Sequence, residues 1–440
     1  MGGVSMKKLA VVVVALLLVS LAFSINWKQF EGTTLRILAN RHPWTNLIQE
    51  KITEFESLTG MRVIMEIFPE DQFRTKRTVE LSSGVGDVDL FMIMPGQSGK
   101  QYYLEGWLYP VDDFINDPTL TDPSWDYNDF FAGVLSGGNF EGKQYCIPIQ
   151  SETSLLAYRK DLFEKYGVKV PTTMEELEEA AKKLTIDEDG DGKADIYGIT
   201  LRGKGAAATS QFVDFLYTFG GRWMNEMGEW ALDEPAAIQA FEFYAKLLRE
   251  YGPPGGTNIH WYESTSYFMQ GKAAMIYDAN VFKSLYEDPS KSKVAGKVGY
   301  ATIPKGPGGY IKPHVSQWAL AIYSGSKHPK AAWLFVQWAT SKEMVLEGLM
   351  RGIPAPRRSA WESEKYKATD KNPDWTKATM ESYAVGNPIW NPPVINVPEA
   401  RDLIGNGIIV PAILGQDVKK AVESTLPQLN ALLERERLMY

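Results

Sequence analysis

The stretch FEGKQYCIPIQSETSLLAYRKDLFEKYGVKVPTTMEELEEAAKKL, residues 140–184, carries the most specific pattern in the chain. A new structural unit is predicted to begin near Ile149, and the end of the stretch predicts an amphipathic helix. Thr173 and Glu176 form a capping box, because the threonine hydroxyl can accept from first-turn N–H groups while the glutamate bonds back. Four apolar residues line one face of this helix: Met174, Leu177, Ala181 and Leu184. The stretch therefore predicts a boundary between two units, followed by a helix of the second unit.

Upstream of this stretch, strand and helix patterns alternate. Strands are predicted for TTLRILAN (33–40), MRVIMEIF (61–68) and DVDLFMIM (87–94), the last being mostly apolar and therefore buried on both faces. Between the first two strands, NLIQEKITEFESLTG (46–60) has apolar residues at helical spacing and ends on Gly60, a residue suited to a helix end. This alternation is typical of a parallel α/β sheet.

Downstream, the same reasoning predicts three helices and two buried strands. The helices are EPAAIQAFEFYAKLLREYG (234–252), PKAAWLFVQWATS (329–341) and VKKAVESTLPQLNALLER (418–435). The strands are KAAMIYDAN (272–280) and WALAIYSG (318–325).

Length and composition narrow the class of protein. A chain of 440 residues is too long for one ordinary core, which predicts two domains or lobes. The chain is 44% hydrophobic and 23% charged, as expected of a globular protein. A net charge of −8 without a basic stripe argues against a nucleic-acid partner. The single cysteine, Cys146, excludes an internal disulfide, which for an exported protein favours a bacterial periplasm.

The N-terminus predicts export. Lys7 and Lys8 form a short basic start, residues 9–22 are nearly all Val, Leu and Ala, and the small residues Ala22 and Ser24 suit cleavage. The apolar run is short for a membrane span, so residues 1–24 are predicted to be a cleavable signal peptide and the mature protein periplasmic. The alternative is an uncleaved anchor.

Several blocks, taken in order, resemble the extracellular sugar-binding proteins of bacterial ABC importers, the group that includes maltose-binding protein. Each block alone is weakly specific, but their ordered succession covers nearly the whole mature chain. The blocks that carry the resemblance are DVDLFMIMPGQSGKQYYLEGWLYPVDDFI (87–115), residues 140–184, FMQGKAAMIYDAN (268–280), SKHPKAAWLFVQWATS (326–341) and RGIPAPRRSAW (351–361).

The resemblance implies a two-lobed α/β periplasmic binding protein of type II, with a hinge between the lobes and a ligand cleft. Residues 33–149 and about 295–345 are expected to form the N-terminal lobe. Residues 150–294 and about 346–440 are expected to form the C-terminal lobe. The resemblance further implies a monomer that binds a sugar or oligosaccharide without catalysis and docks in its closed form onto membrane permease subunits.

Aromatic residues are the first candidates for sugar contacts, because flat rings pack on the C–H faces of sugars. Trp44 follows the first strand, at the end where α/β sheets bind ligands. Trp261 is predicted to lie in a polar loop, NIHWYES. Trp318 opens a buried strand, where the resemblance implies a site residue, and Trp223 is a further candidate. For each ring the alternative is core packing.

Polar candidates come from the same blocks. Gln97 and Ser98 follow the third predicted strand, Glu152 lies at the predicted crossing between lobes, and Asp278 and Asn280 end the strand 272–280. A buried carboxylate can accept charge-assisted hydrogen bonds from sugar hydroxyls. Hinge or capping roles are the alternative for these residues.

Arg351 precedes GIPAP at a position that resembles a site loop of the family. A guanidinium there can bind a ligand carboxylate, which would indicate an acidic sugar. The alternative is that it holds Glu152 or Asp278 in place.

The loop DEDGDGKADIYG (187–198) has the spacing of a calcium loop. Its predicted ligands are Asp187, Asp189, Asp191, the carbonyl of Lys193, and Asp195. Gly198 stands where an EF-hand needs a bidentate glutamate, so a sensor EF-hand is excluded. A structural calcium ion and a solvated Asp-Gly turn both fit, and no other cofactor is expected.

Signals for catalysis are poor. The four histidines, His42, His260, His314 and His328, lack metal-ligand spacing. The main interpretation is therefore the sugar-binding component of an ABC importer. The alternatives are a secreted glycosidase that uses paired carboxylates, and a binding protein for a polyol or polyamine.

Cleavage of the predicted signal peptide has a direct test. Because small residues flank the expected cut, N-terminal sequencing of the exported protein should begin after Ala22 or Ser24. A mature chain that retains Leu9 would identify the apolar run as an anchor.

Overall fold

A computed structural model describes residues 25–84 and 87–439 of the chain. The predicted signal peptide, residues 1–24, lies outside these ranges, so cleavage stays a prediction. Within the two ranges, every helix is too short or too polar to cross a membrane.

The strands alternate with helices over most of the chain. In chain order the strands are β1 (Thr34–Asn40), β2 (Arg62–Phe68), β3 (Leu90–Ile93), β4 (Asn139–Phe140), β5 (Lys143–Gln144), β6 (Cys146–Arg159), β7 (Met275–Ala279), β8 (Val298–Ala301) and β9 (Val315–Ile322). The five strands predicted outside residues 140–184 correspond to β1, β2, β3, β7 and β9, with ends that differ by a few residues.

The helices cover both faces of the main sheet and form much of the second lobe. Those before residue 260 are α1 (Pro43–Thr59), α2 (Glu70–Ser83), α3 (Lys100–Leu104), α4 (Asp112–Ile115), α5 (Ala132–Ser136), α6 (Lys160–Lys165), α7 (Met174–Lys183), α8 (Gly205–Thr218) and α9 (Pro235–Tyr251). Those after it are α10 (Trp261–Met269), α11 (Lys283–Tyr286), α12 (Pro329–Ala339), α13 (Lys342–Met350), α14 (Arg358–Glu362), α15 (Glu364–Thr369), α16 (Pro373–Val385), α17 (Val397–Ile404), α18 (Val410–Ile413) and α19 (Val418–Met439).

The first three strands form a parallel sheet, as the alternating pattern predicts. Strand β1 lies between β2 and β3, with Ile37 opposite Met65 on one side and Leu90 on the other. All four residues of β3 are buried, which confirms that this strand is covered on both faces. Strand β9 extends the sheet in the antiparallel direction.

Strand β6 joins the two lobes. Its first half, as far as Thr153, pairs with β9, and from Ser154 onward it pairs with β7 and β8. The sequence predicts a boundary near Ile149, whereas the change of partners lies at residues 153 and 154. What lies near Ile149 is a register shift between Pro148 and Gln150. Proline has no N–H to donate, so the hydrogen-bond ladder is interrupted there.

Two helix starts show how local sequence sets the elements. Helix α1 begins at Pro43, three residues before the predicted start, because proline suits the first helical position and the His42 ring accepts from the Trp44 N–H. At α7, Thr173 Oγ1 accepts from the Glu176 N–H at 3.2 Å, as predicted. The Glu176 carboxylate bonds back one residue earlier than predicted, to the Thr172 N–H at 2.7 Å.

The lobe boundaries given above stay predictions. Helix α12 packs on α1 and β9, which places residues 329–339 with the first lobe. Strand β8, inside the segment expected for that lobe, pairs instead with the second half of β6. Helix α16 packs on β6 and β8, and α8, α9 and α17 form a helical layer of the second lobe.

Candidate functional site

A small cavity of about 40 Å3, called here the inner cavity, lies between the lobes. Its walls come from the carboxyl ends of the first-lobe strands, the crossing strand β6 and the second lobe. The main lining residues are His42, Glu70, Arg74, Glu152, Arg202, Trp261, Asp278, His314, Trp318, Trp390 and Arg401. This arrangement brings together four of the predicted residues, Glu152, Trp261, Asp278 and Trp318.

Asp278 is held by an arginine that the sequence analysis did not identify. Arg202 Nε donates to Asp278 Oδ2 at 3.0 Å, and Nη2 donates to Oδ1. Burial lowers the pKa of Arg202, but Asp278 outweighs that effect and the pKa is raised. The forked pair therefore fixes the orientation of the Asp278 carboxylate near the end of β7, beside the inner cavity.

Glu70 connects the lobes directly. It begins α2 in the first lobe, and its carboxylate accepts from Arg74 Nε at 3.1 Å and from Trp261 Nε1 of the second lobe at 2.9 Å. Its backbone N–H also donates to the Tyr262 hydroxyl at 2.9 Å. Burial favours a raised pKa, but Arg74 and His260 hold the pKa of Glu70 well below its usual range. Glu70 follows the carboxyl end of β2, so the argument that selected Trp44 could also have selected Glu70.

An exposed contact closes the rim of the cleft. Asp71 Oδ2 of the first lobe lies 2.8 Å from Lys204 Nζ of the second lobe, and Asp71 Oδ1 lies 3.7 Å from His260 Nε2. Exposed pairs of this kind contribute less than about 1 kcal/mol each. The rim contact therefore adds little beside the part-buried bonds of Glu70 to the second lobe.

Glu152 lies on β6, close to the change of strand partners. Its Oε1 accepts from Gln150 Nε2 at 2.6 Å and lies 3.4 Å from His42 Nε2. The side chain is buried and borders the inner cavity. A carboxylate with two neutral or weakly basic neighbours keeps lone pairs available for a ligand hydroxyl.

A buried polar group, His314 with Asp214 and Tyr277, supports the opposite wall. His314 Nδ1 lies 3.1 Å from Asp214 Oδ2, which also accepts from the Tyr277 hydroxyl at 2.7 Å. Burial lowers the pKa of His314, but Asp214 outweighs burial and the pKa is raised. The sequence contains no spacing signal for this group, because its members lie far apart in the chain.

Two of the predicted tryptophans border the inner cavity. Trp318 lies on β9, with the guanidinium carbon of Arg74 5.7 Å from its ring centroid. Trp261 stacks on Phe282, with centroids 4.8 Å apart and an interplanar angle of 19°. The predicted loop position of Trp261 is wrong: it is the first residue of α10, because His260 and Glu263 form a capping box.

Three other predicted residues do not border the inner cavity. Trp44 is buried in the hydrophobic core of the first lobe and does not border the inner cavity. Trp223 is also buried, and its Nε1 donates to the backbone carbonyl of Trp390, whose own ring borders the cavity. Asn280 accepts from the Thr153 N–H at 3.3 Å and thereby supports the crossing.

Arg351 lies away from the inner cavity. Its guanidinium contacts Glu50 and Glu347, each at 2.6 Å, on the half-exposed surface of the first lobe. It therefore holds neither Glu152 nor Asp278, and neither interpretation of Arg351 agrees with this position.

Gln97 and Ser98 border a second, outer cavity of about 750 Å3 that opens beside the inner one. They lie in a π-helical turn after β3, where Gln97 accepts from Arg74 and Ser98 accepts from Arg77 at 3.3 Å. Three side chains border both cavities and form the partition between them: Glu70, Arg74 and Arg401.

The acidic loop folds as an Asp-Gly turn. Asp187 accepts from the backbone N–H groups of Gly190 and Gly192 at 2.7 and 2.8 Å. These bonds, the one from Gly192 foremost, lower the pKa of Asp187. One carboxylate oxygen each of Asp187, Asp189 and Asp195 lies within 4.8 Å of the others.

The remaining predicted ligands of that loop are placed less favourably. Asp191 is not part of this group of carboxylates, and its Oδ1 accepts from the Lys193 N–H at 2.8 Å. Three hard oxygen ligands suit calcium but fall short of its usual six to eight. The segments on either side of the loop pair through single bridges, such as Ile186 with Ile196.

Comparison with known proteins identifies close architectural relatives. The sequence profile of the bacterial extracellular solute-binding proteins matches residues 42–345. The erythritol/L-threitol-binding protein of Mycolicibacterium smegmatis is 29% identical over 349 residues, which cover 75% of this chain and 71% of that protein. The mannitol-binding protein of Pseudomonas aeruginosa is 31% identical over 332 residues, which cover 72% and 71% of the two chains.

A solved structure shares the fold over nearly its full length. The ABC-transporter solute-binding protein of Agrobacterium radiobacter K84, in complex with ribitol, superposes with a TM-score of 0.82. It is 27% identical, and the match covers 90% of this chain and 98% of that one. The two-lobed α/β architecture expected from the resemblance is thereby confirmed.

The interlobe role of Glu70 leads to a prediction for Glu70→Gln. Removing the charge leaves Arg74 without a carboxylate, so the free energy of unfolding should fall by about 1–3 kcal/mol and the cleft should open. Small-angle scattering should show a larger radius of gyration, while Glu50→Gln, which removes an exposed partner of Arg351, should leave it unchanged.

This effect should depend on pH. The pKa of Glu70 is lowered by folding, so its stabilisation is present above its unfolded pKa and is lost as pH falls through the folded pKa. The melting temperatures of wild type and Glu70→Gln should therefore converge in strong acid. Equal radii and equal melting temperatures at neutral pH would contradict the interlobe role.

Calcium binding by the acidic loop stays a prediction with its own test. If Asp187, Asp189 and Asp195 hold an ion, chelation should lower the melting temperature, because a ligand of the native state stabilises it by mass action. Asp189→Ala should abolish the dependence on calcium, while Asp233→Ala provides a control outside the loop. If the chelator does not change the melting temperature and elemental analysis detects no metal, the loop is an Asp-Gly turn without a calcium ion.

Proposed function

The chain belongs to the bacterial extracellular solute-binding proteins, and from that premise we propose that it binds a small polyhydroxylated compound, a sugar or a polyol, between its lobes. It delivers this ligand from the periplasm to the permease of an ABC importer. The observation that carries the proposal is the inner cavity, where paired charges and aromatic rings from both lobes converge. The polyols named for the two relatives and the solved structure support the ligand class.

The inner cavity has the chemistry that a polyol needs. Each hydroxyl group both donates and accepts, so it can bridge a carboxylate and a guanidinium. Glu152 and Asp278 supply acceptors, and Arg74 and Arg202 supply donors. Trp318 offers an apolar face to the C–H groups of the carbon chain. Each of these charged side chains orients the ligand hydroxyl that it bonds. Their own partners in the protein reduce the free-energy cost of burying them.

Ligand entry requires the lobes to separate. A cavity of about 40 Å3 has room for only a few water molecules, so it does not admit a polyol without movement. Opening breaks the bonds that Glu70 receives from Trp261 and the rim contact of Asp71 with Lys204. A ligand that contacts both lobes then favours closure, because it binds the closed state more tightly than the open one.

Glu70 does not suit the general-acid role that the glycosidase alternative requires. A general acid in glycoside hydrolysis needs a raised pKa, whereas the pKa of Glu70 is lowered by Arg74 and His260 in spite of burial. The binding function predicts that the ligand is released unchanged.

A thermal-shift screen tests the function. Erythritol, ribitol, mannitol and maltose would be compared with spermidine as the non-sugar control. At a free concentration 100 times its Kd, a ligand that binds only the native state stabilises that state by about 2.7 kcal/mol. This gives a clear rise in melting temperature. Asp278→Asn should weaken that rise, because it loses an acceptor and frees Arg202, while Glu50→Gln should not.

The screen can also contradict the proposal. A rise in melting temperature with spermidine alone would indicate a polyamine ligand. If no sugar or polyol raises the melting temperature, the proposed function is wrong. Chromatography of the recovered ligand checks the enzyme alternative, since any hydrolysis or oxidation product would show turnover.

A further inference from the structure

Arg401 is a buried guanidinium that forms no ion pair among the described residues. Its side chain is 4% exposed, and Nε and Nη2 both donate to the backbone carbonyl of Ala206, at 3.1 and 2.7 Å. Its Nη1 is buried and makes no hydrogen bond within residues 25–84 and 87–439. A charge in this state is costly, because one neutral carbonyl replaces only part of the hydration that burial removes.

The other two arginines of the inner cavity differ from Arg401. Arg74 is bonded to Glu70, and Arg202 is bonded to Asp278 through two nitrogens. Each therefore has a carboxylate that offsets its charge. Only Arg401, of the three guanidinium groups that border this cavity, has its donors directed to a carbonyl alone.

An unbonded arginine nitrogen is not by itself evidence for a ligand. Arg357 also has a buried nitrogen without a hydrogen bond, but its guanidinium lies 3.3 Å from Asp129 and against the ring of Phe130. Arg357 is thus neutralised within the core. Arg401 also lies over a ring, that of Trp390 with its centroid at 5.9 Å, but it combines the unbonded nitrogen with the lack of an ion pair and with a place on a cavity wall.

The charges around Arg401 are predominantly unfavourable to it. Burial lowers its pKa, and the positive charges of Arg74 and Arg202 lower it further. Glu70 and Asp402 act in the opposite direction, but Glu70 is already bonded to Arg74. A negative group placed beside Arg401 would meet a positive potential that the protein leaves partly uncompensated.

The position of Arg401 suits the end of a chain-like ligand. With Glu70 and Arg74 it forms the partition between the inner cavity and the outer cavity of about 750 Å3. When the lobes open, a ligand whose hydroxyls contact Glu152 and Asp278 can direct its far end toward this partition. That end then lies beside the guanidinium of Arg401.

We propose that Arg401 is a specificity residue that selects polyhydroxylated chains ending in a carboxylate, that is, aldonates, over the corresponding polyols. This inference rests on the proposed function, since it names the ligand class of the same cavity. A carboxylate supplies the missing negative charge and accepts from Nη1, whereas a terminal hydroxymethyl group supplies only a neutral oxygen. Charge-assisted hydrogen bonds are about twice as strong as neutral ones, so the preference should be about tenfold or more.

The test compares ligands that differ only at one end. Titration calorimetry at pH 7.5 would measure ribitol against ribonate and mannitol against mannonate. In the wild type the aldonate should bind at least about tenfold more tightly than its polyol. In Arg401→Gln the ratio of the two affinities should fall to about one, because the amide carries no charge.

Two further variants keep the test decisive. Arg401→Lys retains the charge and should keep part of the preference, which also covers the case in which Arg401→Gln does not fold. Arg249→Gln is the matched control, because Arg249 also donates to a backbone carbonyl, that of Ala412, but lies outside both cavities. In this control, the ratio of aldonate affinity to polyol affinity should equal that of the wild type.

The outcomes separate this inference from the proposed function. Equal affinity for polyol and aldonate in the wild type would overturn the role of Arg401, and so would a preference that persists in Arg401→Gln. Tighter binding of ribitol 5-phosphate than of ribonate would also overturn it, in favour of a phosphate end. If neither polyols nor aldonates bind, the proposed function fails as well.

Discussion

The continuity of strand β6 is the constraint on which the two-lobed structure depends. One buried strand pairs with β9 as far as Thr153 and with β7 and β8 from Ser154 onward, so both lobes share a single run of backbone. Every buried N–H and C=O on this strand needs a partner, which sets the register of both halves at once. Glu152, one residue before the change of partners, is thereby placed at the cleft by the same hydrogen bonds that join the lobes.

Charge pairing accounts for the closed arrangement around that strand. Burying a carboxylate or a guanidinium is costly unless a partner is present. Within the first lobe Arg74 partners Glu70, and within the second lobe Arg202 partners Asp278. The indole N–H of Trp261 then reaches Glu70 from the other lobe, so closure completes a carboxylate's hydrogen bonds. Arg401 is the exception on this wall, and its unbalanced charge is where ligand chemistry can contribute most.

Elements with local signals were predictable. Hydrophobic periodicity located β1, β2, β3, β7 and β9, and the capping box located α7, because these patterns depend on neighbours within a few residues. Trp261 shows where prediction from local sequence failed. His260 and Glu263 form the capping box that starts its helix, but the polar composition of NIHWYES indicated a loop instead. Arg351 shows another limit: its partner Glu347 is four residues away in the chain, but its partner Glu50 is brought to it by packing of the first lobe.

The sequence by itself determined the family, the α/β class and the order of elements, because ordered motifs and periodicity are properties of the linear chain. It also indicated Glu152, Asp278 and Trp318, which lie at strand positions near the edge where α/β sheets bind ligands. Only the tertiary structure decided that Arg202 meets Asp278 and which tryptophan faces the cleft. These contacts join residues far apart in the chain, 191 positions in the case of Trp261 with Glu70, and no local pattern encodes them.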